Sequence, residues 1–204
     1  MKTAKQAFIA LLFALTVAGT HGRAQESWWP RNLPPSYVDK VKTHFEFDKW
    51  NGKTVTNYHH AVTNWVMTLP ENEYGDFRVY RQMTETNELG IVRSYLFAME
   101  SVPDPTHLWR GSVYVFPGVA EAHKYMITTL AGFSVPIKFM ESGDKYNVQL
   151  GDKWFGICQR QQIAEVQWCR NNVYVRLTSC ETNVIECLPL ATNLDAQILQ
   201  ESLK

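Results

Sequence analysis

Residues 163–179 read IAEVQWCRNNVYVRLTS. Two runs rich in β-branched and aromatic residues flank Asn171-Asn172, and Asn tolerates the positive φ that a two-residue hairpin turn demands. A turn at that pair sets Trp168 opposite Val175 and Val166 opposite Leu177. Side chains alternate along a strand, so these four share one face, the core side. Gln167, Arg170, Tyr174 and Arg176 then lie on or near the other face. This hairpin decides the class, because it commits the C-terminal half to an antiparallel sheet.

Working outward, 152–160 (DKWFGICQR) reads as the preceding strand. The stretch 184–203 reads mostly as helix, with Leu190, Leu194 and Ile198 as its apolar stripe. Asn183 and Glu186 resemble a capping pair, and Pro189 must kink that helix or sit in its first turn. Residues 131–151 are loop-like, with weak strand signals at IKFM and YNVQL. Further back, 119–130 (VAEAHKYMITTL) places Val119, Ala122, Met126 and Leu130 on one helical face. GSVYVF (111–116) is a strand before it, closed by Pro117-Gly118. The runs 77–84 and 91–102 form a second hairpin around a turn at 86–90. Residues 37–50 approach helical spacing, and 55–68 are ambiguous. The order is helix, strands, helix, strands, helix, which argues α+β: antiparallel sheet or sheets with helices packed on one face. A duplicated strand-hairpin-and-helix unit stays open, since no residue-level repeat marks it.

The chain divides into a signal peptide at 1–24, an extended Pro-rich lead-in at 25–36 and a single α+β domain at 37–204. Lys2 and Lys5 precede the uncharged run AFIALLFALTVAG (7–19), and Gly22-Arg23-Ala24 supplies a small-residue cleavage site. Thirteen apolar residues are too few to span a bilayer, which takes about 20. No Cys lies at the cut, so the expected product is soluble, exported to a periplasm or beyond the cell, and without a lipid anchor. The full chain carries 20 basic and 20 acidic residues; losing Lys2, Lys5 and Arg23 leaves a net charge of −3. Such a balance offers no basic face for nucleic acid.

All four cysteines, Cys158, Cys169, Cys180 and Cys187, fall in the last quarter. An even count in an exported chain suggests two disulfides, and short loops favour Cys158–Cys169 with Cys180–Cys187. Their spacing is unlike a zinc site. His59-His60, with His44 upstream, is the most tempting metal group, but adjacent His side chains diverge on either a strand or a helix. No G-x-S-x-G surrounds Gly111-Ser112. Glu71, Glu73 and Asp76 cluster near Tyr74, in a stretch that reads as a solvated loop. No metal, cofactor or catalytic residue is therefore expected. Among the seven Trp, Trp168 fits a core, while Trp28, Trp29, Trp50, Trp65, Trp109 and Trp154 could offer a stacking surface for a glycan or an apolar ligand, with Trp28, Trp29 and Trp154 as the candidate binding residues.

The stretch 113–194 resembles bacterial exported α+β domains of unknown function. The resemblance is carried by VYVFPGVAEAHKYM, a Gly-Asp (Gly151-Asp152 or Gly143-Asp144), the run Arg170-Asn171-Asn172-Val173-Tyr174-Val175, and Leu190-Ala191 in the last helix. It implies a compact α+β fold and no reaction; the cysteines lie outside it. Two functions follow as expectations: a non-enzymatic module binding a small molecule, glycan or protein, or alternatively a hydrolase of envelope or extracellular polymers.

Overall fold

The computed structural model describes residues 34–71, 76–88, 90–132, 140–179 and 184–204. The leader, Trp28, Trp29, Glu73, Tyr74, Cys180 and Asn183 lie outside them. Four helices, α1 (Pro35–His44), α2 (Phe47–Trp50), α3 (Val119–Ala131) and α4 (Leu188–Ser202), accompany one sheet. Its strands are β1 (Phe77–Glu88), β2 (Ile91–Ser101), β3 (Leu108–Val115), β4 (Met140–Ser142), β5 (Lys153–Gln159), β6 (Gln162–Arg170) and β7 (Val173–Ser179). They lie in the order β1-β2-β3-β7-β6-β5-β4, every pair antiparallel. The fold class is α+β, as the patterning implies. Two meanders, β1–β3 and β4–β7, meet where β3 pairs β7.

The β6–β7 register matches the sequence reading: Val166 opposes Leu177 and Trp168 opposes Val175. Asn171 adopts φ 54° in the turn. Val166, Trp168, Val175 and Leu177 are fully buried under Leu190, Ala191, Leu194 and Ile198 of α4. An extended strap, Val62 to Leu69, completes that layer through Val62, Trp65, Met67 and Leu69. The strap answers the ambiguity of 55–68, for it is neither helix nor strand. Its polar backbone is met from outside: the Gln197 amide donates to the Thr68 carbonyl at 2.7 Å and accepts from its N–H at 3.0 Å.

Helices cover both faces of the sheet, not one. On the second face Phe155, Ile157, Cys169 and Tyr174 pack with Ala122, Met126, Ile127 and Leu130 of α3, and with Val41, Phe45, Phe47 and Trp50 from α1 and α2. The polar residues that made this face look solvated satisfy one another instead. The Tyr174 hydroxyl donates to Gln167 at 2.8 Å, and Arg176 donates to Glu165 at 2.8 Å. Arg170 belongs to the α4 face, two residues along from Trp168. The helix expected over 37–50 begins two residues earlier, at Pro35, and breaks where Glu46 takes φ 52°. Pro189 sits in the first turn of α4, where its missing N–H costs nothing.

Candidate functional site

The β6–β7 turn and the entry to β5 meet at one end of the sheet. Gly151, at φ +63°, turns the chain into β5, and a Cβ there would fall 2.3 Å from the Cys169 carbonyl oxygen. Only glycine combines that φ with that approach. The turn delivers Asp152, whose carboxylate accepts from Val55 N–H (2.9 Å), the Tyr58 hydroxyl (2.7 Å) and Asn171 N–H (2.7 Å). Burial raises the Asp152 carboxyl above its ordinary value, and the three donors hold back part of that rise. Burial, then the neighbouring carboxylate, push the Tyr58 phenol well upward.

Behind this sits a buried ion pair. Arg170 donates to Asp195 of α4 at 2.6 and 2.5 Å, a two-pronged geometry. Burial alone lowers the Arg170 pKa, but the Asp195 contacts outweigh it and leave the guanidinium firmly charged. Asp195 also accepts from Gly151 N–H at 3.0 Å. Asn171 and Asn172 stitch the strap to the turn: the Asn171 amide donates to the His60 carbonyl, and the Asn172 amide both accepts from Val62 N–H and donates to its carbonyl.

Beside Asp152 opens a groove of about 490 Å³, lined by Val55, Tyr146, Asn147, Gln149, Lys153 and Trp154 among others. Asn147 and Gln149 are exposed on its rim. Trp154, a binding candidate in the sequence, lines the groove, yet only 5% of it is exposed. Its N–H donates to the Val148 carbonyl at 3.2 Å, the Tyr146 ring lies 5.3 Å away, and Gly143 is pressed against the indole. Trp154 thus anchors the 143–150 loop that forms the groove wall.

The remaining expectations resolve individually. Trp168 is a core residue as expected, but Trp50, Trp65 and Trp109, offered by the sequence for a stacking surface, are buried in the core as well. His44, His59 and His60 are exposed; the His59 N–H donates to Ser202, and the His60 carbonyl accepts from Asn171, so the pair serves through its backbone. Among the described residues no three His, Cys, Asp or Glu side chains converge as a metal group. Glu71 accepts from Val79 N–H at 2.8 Å at the start of β1. Gly111 lies under the Phe97 ring, a packing role.

The expected Cys158–Cys169 disulfide is corrected. Cys169 pairs with Lys153 and Cys158 with Ile163, so the two sulfurs occupy opposite ends of one strand pair. A short loop in sequence becomes a separation of several residues along the strand, beyond disulfide reach. Cys158 and Cys169 carry free thiols. Cys187 is buried and donates to the Ala164 carbonyl at 3.3 Å, while Cys180, its expected partner, lies outside the described residues. Sequence reasoning missed Tyr58, Arg170 and Asp195 as a group, since the first and last stand 137 residues apart; only Gly151-Asp152 and the Asn pair signalled the place.

No family model matches the chain, and no curated protein matches it. Among solved structures, the extracellular domain of PknH from Mycobacterium tuberculosis is similar over 62% of this chain and 84% of that one, at 12% identity and a TM-score of 0.31. That likeness is too slight to define a shared fold. No helix among the described residues is long and apolar enough to cross a membrane.

Proposed function

We propose that this chain is exported and acts as a non-enzymatic binding module, with the groove beside Asp152 as its ligand site. The groove carries the reading. Its volume of about 490 Å³ suits a small molecule or a short glycan, and small-ligand sites run from roughly 300 to 1,000 Å³. Asn147 and Gln149 offer amide donors and acceptors on the rim, while Val55 and Trp154 supply apolar wall. Asp152 and Tyr58 speak against acid–base work, because each is held by several hydrogen bonds within the protein. The leader-like N-terminus and the resemblance to exported bacterial domains support the location. The net charge of −3 after cleavage argues against nucleic acid as the partner.

The test uses the processed product secreted from the full chain, screened by thermal shift against glycans and metabolites. A hit is then titrated against Val55→Trp, which fills the groove mouth from an exposed position, and Gln149→Ala. The proposal expects at least about tenfold weaker binding in Val55→Trp. A ligand bound equally by both variants would remove the groove from the account, and conversion of a hit to product would make the chain an enzyme.

A further inference from the structure

The sheet ends differently at its two edges. β4, on the groove side, is three residues long. β1, at the opposite edge, is twelve residues long, and β2 flanks it on one side only. Long edge strands invite pairing with another chain unless they are blocked. Among the described residues β1 is blocked only at its start, by the Glu71 carboxylate on Val79 N–H and the register shift between Val79 and Arg81.

The β1–β2 register fixes which backbone groups face outward. Glu88 pairs with Ile91 across a two-residue turn, which makes that pair hydrogen-bonded. Alternation makes Thr86–Arg93, Thr84–Tyr95 and Gln82–Phe97 hydrogen-bonded too. The N–H and C=O groups of Arg81, Met83, Glu85 and Asn87 therefore point away from β2, and the outer side of β1 has no strand partner among the described residues.

We propose that β1 pairs antiparallel with β1 of a second copy of this chain, with Met83 on the two-fold axis. Residues opposed across an antiparallel pair share a face, so the register must join odd positions to odd positions. Met83 against Met83 satisfies this and turns two outward-facing backbones toward each other. It places Arg81 opposite Glu85 of the second copy, and Glu85 opposite its Arg81. Shifts in either direction lose this complement: toward the end of β1 they set Arg81 against Asn87 and then Glu85 against Glu85, and toward its start they set Arg81 against Met83 and then Arg81 against itself. The axis stands perpendicular to the sheet, so the result is one continuous fourteen-stranded sheet with a groove at each far end. Closed two-fold pairing is the commonest way for identical chains to assemble.

Analytical ultracentrifugation of the full chain's processed product, from about 1 µM to about 1 mM, tests this. Self-association to a dimer is expected. Met83→Pro removes an outward N–H without breaking a β1–β2 hydrogen bond, and should weaken the dimer at least about tenfold. Should that variant fail to fold, the charge series decides. Arg81→Glu and Glu85→Arg should each weaken association, and the double exchange should restore it. A monomer throughout the range overturns the proposal, as does a dimer indifferent to these substitutions. Neither result bears on ligand binding at the groove.

Discussion

Three residues carry the most specific consequences. Arg170 and Asp195 are 4% and 5% exposed, so removing one partner leaves a buried uncompensated charge. Arg170→Met should cost about 3–5 kcal/mol in urea unfolding, and Arg170→Met with Asp195→Leu should recover part of that loss. His123 on α3 is wholly buried, with Nδ1 accepting from Gly52 N–H at 2.9 Å and Trp50 edge-on at 5.1 Å. Burial pushes its pKa from 6.5 down to about 4, against a smaller opposing pull from the Trp50 backbone. The folded state therefore binds this proton less readily than the unfolded chain. Its contribution is complete above about pH 6.5 and is lost as pH falls toward 4, on the order of 3 kcal/mol. His123→Phe should flatten the pH dependence of the melting temperature across that window. An unchanged slope would show that His123 is not the responsible group.

At the scale of elements, the register of β5 against β6 makes a prediction about thiols. Cys158 is exposed at one end of β5, while Cys169 and Cys187 are buried. Burial raises the Cys169 thiol pKa further. An aromatic disulfide reagent should modify Cys158 in the native protein and reach Cys169 only on unfolding. Cys158→Ser should leave stability within about 0.5 kcal/mol, whereas loss of a structural disulfide costs about 2–5 kcal/mol. The turn into β5 is less tolerant. Gly151→Ala meets both a left-handed φ and the Cys169 carbonyl, and should destabilise by about 1–3 kcal/mol while displacing Asp152. How the elements read in sequence follows from locality. The β6–β7 hairpin was legible to the residue because turn chemistry and alternation agree there. The break at Glu46 was not, since no glycine or proline marks it. Helix coverage of the second face was hidden because Gln167, Tyr174 and Arg176 look solvent-facing until their partners on neighbouring strands are known. The disulfide reading failed because loop length in sequence says nothing of distance along a strand.

At the scale of the whole molecule, the sheet separates two roles. Its short edge holds the groove, framed by β5, the 143–150 loop and the segment around Val55. Its long edge offers β1. The candidate site was legible only in fragments: Trp154, Gly151-Asp152 and the Asn pair stood out, but the contacts that join them to Tyr58 and Asp195 span 94 and 44 residues. Such long-range polar pairing leaves no periodic trace in sequence. The proposed export makes its own prediction: the secreted product should begin at Gln25, read by N-terminal sequencing, and a product retaining residues 1–24 would contradict it. The central claim, that the groove beside Asp152 binds a ligand, is tested most directly by titrating a ligand found by screening into wild type and Val55→Trp under calorimetry. The account predicts binding by wild type that falls at least about tenfold in the variant. Equal affinity in two equally folded proteins would contradict it.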